Sequence, residues 1–206
     1  MRIITISREF GSGGRELGKR LSDALQWDYY DKEIITAVAE NMGLAEDYAA
    51  RSLENHGWRN VPLTFRRSFS GAAAMQRAQT ALLVEQKRVI EEIAALGKDC
   101  VIVGRNADVL LENYAPLRFF VCADMAAKVT RCMERAPAEE HLTPREMERR
   151  IKSVDRGRAR TRAILTERRW GDPHCYHLTI NTTERSIRDL IPAVVSYVDY
   201  WFGGPV

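Results

Sequence analysis

The sequence predicts an α/β fold, with a parallel sheet covered by helices on both faces. Two observations support this prediction. Short apolar runs of strand length alternate along the chain with longer segments in which apolar residues follow helical spacing. The first strand, residues 3–7, leads directly into a turn that contains Gly11, Gly13 and Gly14, and a helix begins there. Backbone N–H groups can converge in such a turn because side chains are absent, so it is typical of a phosphate-binding corner.

Composition limits the classes of protein that fit this chain. It has 206 residues, of which 45% are hydrophobic and 29% charged, which indicates a globular protein and predicts a single domain over residues 1–206. No apolar run approaches the roughly 20 residues of a membrane span, and no signal-peptide pattern is visible, so we expect a cytoplasmic protein. The four cysteines form no C-x-x-C pair, which favours free thiols over a metal or redox role.

Positive charge is concentrated in one segment. The chain has a net charge of only +3, yet residues 145–169 hold ten Arg or Lys against four acids. Such a cluster can bind polyphosphate, bind nucleic acid or simply solvate a helix face. RNA binding is the least favoured of these, because no stacking motif accompanies the basic residues.

The glycine turn matches only part of the nucleotide-binding pattern G-x-x-x-x-G-K-[ST], whose lysine contacts the outer phosphates and whose hydroxyl contacts Mg²⁺. When residues 11–13 are set on the central Gly-Ser-Gly of nucleoside monophosphate kinases, Arg8 stands at the first glycine position and Gly14 at the lysine position. Arg15 and Glu16 then replace the hydroxyl residues. The lysine is therefore missing.

Two other interpretations of the turn stay open, and a third fails. A literal G-x-x-x-x-G-K ends at Lys19, but helical spacing already places Lys19 inside the first helix. The dinucleotide pattern G-x-G-x-x-G fails at Glu16, although Asp31 lies at a suggestive distance along the chain. Glycine clusters also form ordinary turns that hold no ligand.

The next predicted elements are a strand over residues 26–30 and a helix over 32–42. Asp31, between them, either faces the ligand crevice at the strand's carboxyl end or caps the helix, and the two roles are compatible. A short helix is predicted over 45–53. Residues 56–71 mix aromatic side chains with arginines and show no periodicity, so we predict a mobile cover in which Arg66 and Arg67 either contact substrate phosphate or are solvated.

A long helix over residues 75–96, closed by Gly97, precedes a fully apolar strand over 100–103 that suits the centre of a parallel sheet. Gly104 and Arg105 follow this strand. An arginine at that position, with a glycine leaving room beside it, is a candidate contact for a phosphate or a base. Alternatively, Arg105 pairs with a neighbouring helix.

A further strand is predicted over residues 117–123. Asp124 after it is expected to cap the next helix rather than to bind Mg²⁺. The last strand is predicted over 177–181, and Thr182 or Thr183 is expected to cap a helix that ends near residue 200. The histidines lack metal-site spacing, so no metal ligand is assigned.

The arginine-rich helix is predicted over residues 144–164, because Thr143 and Pro144 form a typical helix start. Side chains three and four positions apart share a helix face. One face of this helix therefore carries Asp155, Arg158 and Arg162, and another carries Arg149, Arg156 and Arg160. Two arginine faces on one helix can clamp two phosphate groups.

Several segments in order resemble the cytidylate kinase-like family. They are Ile-Ser-Arg-Glu-Phe-Gly-Ser-Gly-Gly-Arg-Glu at residues 6–16, Tyr-Tyr-Asp-Lys-Glu at 29–33, Gly104-Arg105, the arginine series from Asp155 to Arg162, and Ile-Asn-Thr at 180–182. This resemblance covers nearly the whole chain. It implies a P-loop NTPase fold, three-layered α/β/α with a five-stranded parallel sheet, a monophosphate-binding or cover region at about 31–75 and an arginine-rich lid at about 137–163.

The same resemblance implies a phosphotransferase that moves the γ-phosphoryl group of ATP, with Mg²⁺, to a pyrimidine nucleoside monophosphate. The expected partners are these two nucleotides, with no nucleic acid and no membrane. By the resemblance, Gly11, Ser12, Gly13, Gly14 and Arg15 hold the donor phosphates, Asp31 and Arg105 face the acceptor, Arg15, Arg158 and Arg162 stabilise the transferring charge, and Asp155, Arg156 and Arg160 support the lid. A nucleotide-sensing module with little transfer activity and a kinase of another small phosphate acceptor are the alternatives.

Overall fold

The computed structural model describes residues 1–46, 49, 69–137 and 142–203, and of residues 69–76 it describes the backbone alone. Within these residues, the strands are β1 Ile3–Arg8, β2 Asp28–Tyr30, β3 Cys100–Val103, β4 Leu117–Cys122 and β5 Leu178–Asn181. The α-helices are α1 Gly14–Leu25, α2 Lys32–Met42, α3 Phe69–Ala95, α4 Ala107–Leu110, α5 Met125–Glu134, α6 Pro144–Leu165 and α7 Ile187–Trp201.

The strands form one sheet in the order β2-β3-β1-β4-β5, and every neighbouring pair is parallel. This confirms the predicted α/β fold with a five-stranded parallel sheet. Both faces of the sheet are covered, and β1 divides its side chains between them. Ile3 packs into a core with α2 and α3, whereas Ile4 and Ile6 pack into a second core with α1 and α7. Fully apolar strands such as β3 result from this double burial.

Parallel strands bring their carboxyl ends to one edge of the sheet, and residues singled out in the sequence lie at this edge. Strand β1 ends at Arg8, Asp31 follows β2 and Gly104 follows β3. In open α/β sheets, ligands bind in the crevice outside this edge. The fold therefore brings the glycine turn, Asp31 and Arg105 to the same side of the molecule, as the sequence predicts.

Helix starts agree with the sequence where a local cap fixes them. Asp124 caps α5 by accepting the N–H of Ala127 at 2.7 Å, which confirms the predicted cap. At α6, Thr143 and Glu146 form a reciprocal capping box, with Pro144 at the first helical position. Helix α2 has the predicted bounds of residues 32 and 42.

Two predicted helix starts are wrong. Helix α3 begins at Phe69 rather than at residue 75, so the last residues of the predicted cover are helical. Helix α7 begins at Ile187, with Ser186 at the cap position instead of Thr182 or Thr183. The side chain of Thr182 is occupied elsewhere, because its hydroxyl donates to the carbonyl oxygen of Ser12 at 2.7 Å. Of the predicted helix over 45–53, residues 45, 46 and 49 are described, and the rest of it lies outside the described residues, as does the segment 56–68.

A search of the described residues finds no helix that is long and apolar enough to cross a membrane.

Candidate functional site

The turn between β1 and α1 leaves the start of α1 available to a ligand. Gly13 occupies the cap position with φ of 81°, a conformation that other residues adopt only with strain, and no side chain caps the helix. The first N–H groups of a helix lack partners within it and carry partial positive charge. Ser12 does not face this site, since it is fully buried and its hydroxyl donates to the carbonyl oxygen of Glu9 at 2.9 Å.

Contacts from distant elements fix the shape of the turn. Arg131 on α5 donates from Nη1 to the carbonyl oxygen of Gly11 at 2.7 Å. Asp155 on α6 accepts the N–H of Phe10 at 2.7 Å. Together with the Thr182 hydroxyl on Ser12, these bonds attach the turn to three elements and preorganise the N–H groups behind it.

A cavity of about 420 Å³ lies against the turn, and the residues around it come from the turn, α1, α5 and α6. Its charged side chains are mostly cationic. Among the described residues that line it, the acids are Glu9 and Glu16, whereas the arginines are Arg8, Arg15, Arg131, Arg135, Arg150 and Arg158. A cavity with this excess of guanidinium groups, next to a helix N-terminus, suits a polyphosphate.

A second, smaller cavity of about 40 Å³ lies at the carboxyl end of β3. It has room for a group of about the size of one phosphate, and its lining is polar. Its residues are Ser7, Arg8, Gln86, Gly104, Arg105, Asn106, Arg158, Thr161 and Trp170. Arg8 and Arg158 line both cavities, so the two spaces adjoin at these two residues.

Half of the predicted site residues line these two cavities. Gly11, Gly13, Gly14, Arg15 and Arg158 line the large cavity. Arg105 lines the small one, as Arg158 also does.

Asp31 lies beside the cavities between two arginines. It is 2% exposed, with Oδ2 at 2.5 Å from Nε of Arg15 and Oδ1 at 3.3 Å from Nη2 of Arg8. Arg15 therefore points toward Asp31, and its side chain is 54% exposed. Asp31 occupies the cap position of α2 without a side-chain bond to that helix.

Arg162 is not brought into the crevice. It is 1% exposed, and its Nη1 donates to Oδ2 of Asp108 at 2.7 Å while its Nε donates to the carbonyl oxygen of Arg168. Of the residues expected to support the lid, Asp155 contacts the turn, whereas Arg156 and Arg160 are exposed. Helical spacing predicts that Arg158 and Arg162 share one face of α6. In the fold, Arg158 lines the cavities whereas Arg162 is buried in the core.

Sequence analysis missed several charged residues at this site. Lys128 on α5 is 5% exposed, with Nζ at 2.9 Å from Oε2 of Glu9 and 3.7 Å from Oδ2 of Asp155. Arg131 lies one turn later on the same helix. The sequence around Lys128 and Arg131 gives no sign of these roles, because the residues that they contact lie in distant parts of the chain. Arg8, by contrast, lies next to the turn in the sequence.

Positive charge is crowded around Arg8. Burial, followed by the neighbouring Arg158, Arg105 and Arg15, lowers the pKa of Arg8 to about 9, against the opposing effect of Asp31. Asp31 contacts Arg8 and Arg15, and Oδ1 of Asp155 lies 3.8 Å from Nη1 of Arg158. An anion bound in the cavities would add negative charge beside these guanidiniums.

Gly104 is predicted to be indispensable for this arrangement. Its φ is 78°, and a Cβ atom at this position would lie 1.3 Å from Nη1 of Arg8. We expect Gly104→Ala to displace the Arg8 guanidinium and to lower the free energy of unfolding by about 2–4 kcal/mol, as strain and overpacking add.

Urea denaturation measures this effect, and Gly43→Ala is the matched control. Gly43 has φ of 62° but no neighbour within 4 Å of a Cβ atom, so its substitution carries the backbone strain alone. Equal losses in the two variants would show that Arg8 moves aside without cost.

Comparison with known proteins agrees with this architecture. A similar solved structure is an uncharacterised protein from Eubacterium ventriosum, with a TM-score of 0.69, 23% identity and coverage of 97% of this chain and 99% of that chain. The shikimate kinase from Bacteroides thetaiotaomicron has a TM-score of 0.55 and 15% identity, and 98% of each chain is covered. The shikimate kinase from Aquifex aeolicus has a TM-score of 0.51 and 16% identity, covering 99% of this chain and 100% of that one. At such identities these likenesses show the fold, which is that of P-loop kinases.

No curated protein matches the sequence. The model of the cytidylate kinase-like family, however, matches residues 3–184. This match supports a small-molecule kinase, and the fold is consistent with it. With most of its length matched and the motifs gathered at one edge of the sheet, the chain belongs to the cytidylate kinase-like family.

Proposed function

We propose that this protein transfers the γ-phosphoryl group of ATP to a nucleoside monophosphate, with a pyrimidine nucleotide as the preferred acceptor. The observation that carries the proposal is a pair of cavities, one large and one of phosphate size, that meet at Arg8 and Arg158 beside an uncapped helix start. Two phosphorylated ligands bound in these cavities would bring their phosphates together. We further propose that residues 1–206 form one domain and that the protein is cytoplasmic.

The large cavity is the proposed donor site. Backbone N–H groups from Gly13 onward would receive the ATP phosphates, and cations from α5 and α6 would neutralise them. Arg135 and Arg150 contribute to this charge from opposite helices, and Arg15 lies at the rim with its guanidinium on Asp31. Ser12 serves the loop by its buried hydroxyl bond rather than by contact with ATP.

The small cavity is the proposed seat of the acceptor's phosphate. Three arginines line it, namely Arg8, Arg105 and Arg158, with Gln86 beside them. Gln86 is 2% exposed and donates to the carbonyl oxygen of Arg105 at 3.0 Å, which supports the backbone there. Asp31 acts in this proposal by orienting Arg8 and Arg15. The nucleoside itself is too large for about 40 Å³ and would extend outward.

Positioning and charge stabilisation suffice for this chemistry. Phosphoryl transfer needs the two reacting oxygens in line and positive charge around the transferring group, and the protein supplies no covalent step. Arg158 is well placed for this role, because its Nη1 donates to the carbonyl oxygen of Arg8 at 3.0 Å and it lines both cavities. Arg162 has a structural role in this proposal, since its pair with Asp108 anchors the same helix.

The residues present fit a magnesium ion that enters bound to ATP. Mg²⁺ commonly binds phosphates and water with only one or two protein carboxylates. Glu9 and Glu16 line the large cavity, and both are paired, Glu9 with Lys128 and Glu16 with Arg20 and Arg135. Either carboxylate would hold the ion by exchanging a cationic partner for it. When bound, the ion would neutralise charge on the outer phosphates.

A panel assay tests the proposed function. Purified protein is incubated with ATP, Mg²⁺ and each common nucleoside monophosphate, and diphosphate formation is followed by chromatography. Formation of CDP or UDP at a rate above that with purine acceptors supports the proposal. Transfer to shikimate or another non-nucleotide acceptor alone would contradict the assignment of acceptor while retaining the kinase.

Arg158→Ala is expected to lower kcat by about 10²–10³-fold and to raise the KM for either nucleotide much less. The reason is that charge develops on the transferring group, so a contact made there acts mainly in the transition state. Steady-state kinetics with both nucleotides varied measure the two parameters. Arg160→Ala is the matched control on the exposed face of the same helix, and equal losses in both variants would contradict a specific role for Arg158.

One observation favours a nucleotide-binding module with little transfer as the second candidate. The loop's nearest cations already have carboxylate partners, Arg15 with Asp31 and Lys128 with Glu9. ATP binding by calorimetry without product in the panel assay would select this candidate.

A further inference from the structure

We propose that Arg8 supplies the positive charge that lysine supplies in the common phosphate-binding loop, and that it contacts the transferring phosphoryl group directly. This inference rests on the proposed function and deepens it. It assigns the missing lysine's role to the last residue of β1 rather than to Arg15 at the start of α1.

The space around Arg8 provides the first argument. A Cβ atom on Gly14, at the lysine position of the common pattern, would lie 2.6 Å from Cβ and 3.0 Å from Cγ of Arg8. A Cβ atom on Gly104 would overlap the Arg8 guanidinium. Arg8 thus occupies the volume into which a side chain at position 14 would project. The side chain at position 8 and a side chain at position 14 therefore compete for the same space, and in this chain the space is taken by the cation at position 8.

The position of Arg8 provides the second argument. Arg8 lines both the donor cavity and the acceptor cavity, whereas of these two Arg15 lines the donor cavity alone. Because Arg8 borders both spaces, it lies where a phosphoryl group would pass between them. Arg8 is also 8% exposed, and charge acts more strongly where water is excluded.

Its fixed orientation provides the third argument. Asp31, 2% exposed, contacts Nη2 of Arg8 from one side, and the glycine surface of Gly104 lies against the guanidinium. The same carboxylate holds Nε of Arg15, whose side chain is half exposed. Asp31 thereby orients Arg8 and retains Arg15 at the rim.

In the step itself, Arg8 donates hydrogen bonds and keeps its protons. The bond between the γ-phosphorus and the oxygen shared with the β-phosphate breaks, and ADP leaves with that electron pair. A bond forms from an oxygen of the acceptor's phosphate to the γ-phosphorus. Any proton on that acceptor oxygen passes to solvent, and Arg8 stabilises the charge on the group in transit.

Kinetics of Arg8→Met, Arg8→Lys and Arg15→Met provide the test, and thermal unfolding selects the variants that are folded. We expect Arg8→Met to lower kcat by about 10²–10³-fold and to weaken ATP binding by at least about tenfold, because Arg8 contacts the γ-phosphoryl group before and during its transfer. Arg8→Lys should recover part of the loss, and Arg15→Met should lose less than about tenfold. A greater loss in Arg15→Met than in Arg8→Met would overturn the inference.

A charge exchange keeps the proposal testable if Arg8→Met fails to fold. The double variant Arg8→Gly/Gly14→Lys restores the common arrangement and removes the contacts of Arg8 with position 14, where Cβ of Val121 stays at 3.3 Å. We expect it to exceed Arg8→Gly in kcat by at least about tenfold, because one preorganised cation is returned to the site. A folded double variant with no recovery would overturn the exchange of roles.

Failure of the proposed function is distinguishable from failure of this inference. If the wild-type protein transfers phosphate to no acceptor, the proposed function fails, and inorganic tripolyphosphate then decides the role of Arg8 by calorimetry. Binding to the wild type that weakens at least tenfold in Arg8→Met supports Arg8 as the phosphate contact. Equal binding to both proteins overturns it.

Discussion

Gly13→Val should abolish measurable ATP binding. Gly13 has φ of 81° at the start of α1, and a Cβ atom there would lie 2.7 Å from Cδ1 of Ile187, which is itself buried. Valine would therefore force a different backbone conformation at position 13 and displace the side chain of Ile187. The first N–H groups of α1 would no longer point in a common direction, so they could not all donate hydrogen bonds to the donor phosphates. Calorimetric titration with ATP and Mg²⁺ measures the affinity.

Gly97→Val separates this effect from backbone strain in general. Gly97 also has a positive φ, of 71°, but a Cβ atom there meets nothing within 4 Å, and the residue lies at the end of α3. We expect Gly97→Val to lower the free energy of unfolding while ATP affinity stays as in the wild type. Unchanged affinity in folded Gly13→Val would instead remove the turn from the donor site.

Asp108→Asn should destabilise the fold by about 3–5 kcal/mol. The carboxylate is 2% exposed and receives Nη1 of Arg162 at 2.7 Å, and the arginine is 1% exposed. Removing one charge of a buried pair leaves the other uncompensated in a medium that solvates it poorly. Chemical denaturation measures the loss, which we expect as a lower midpoint with little change in slope.

Glu112→Gln is the matched control on the surface. It removes the partner of Arg168 from a pair in which the side chains are 45% and 50% exposed, so it should cost less than about 1 kcal/mol. The double variant Asp108→Leu/Arg162→Met should recover most of the stability lost in Asp108→Asn, since apolar groups can replace a buried pair. A loss below about 1 kcal/mol in Asp108→Asn would show that solvent reaches Arg162.

The buried pair also explains why the face of α6 could not be assigned from spacing. Arg158 and Arg162 are one turn apart, and the sequence gives both the same environment. In the fold, the short helix α4 places Asp108 next to Arg162, and the two residues form a buried pair. That helix is only four residues long and has no periodicity to predict.

Local chemistry alone determined much of this molecule. Alternating apolar strands and amphipathic helices fixed the parallel sheet, because each pattern buries its apolar side in only one kind of structure. Cap residues fixed the starts of α5 and α6, since their side chains bond to N–H groups within one turn. The glycines at positions 11, 13 and 14 indicated the phosphate-binding corner for a similar reason.

Only the tertiary structure decided which cationic side chains lie at the phosphate-binding turn. Arg15 is the cation nearest to the glycines in the sequence, yet the carboxylate of Asp31, which follows β2, holds it at the rim of the large cavity. Arg8 precedes the turn, and Gly14 and Gly104 give it room between the two cavities. A guanidinium lies several bonds from its backbone, so its direction depends on carboxylates and on open space contributed by distant parts of the chain. Those contributions exist only once the sheet has brought the strand ends together.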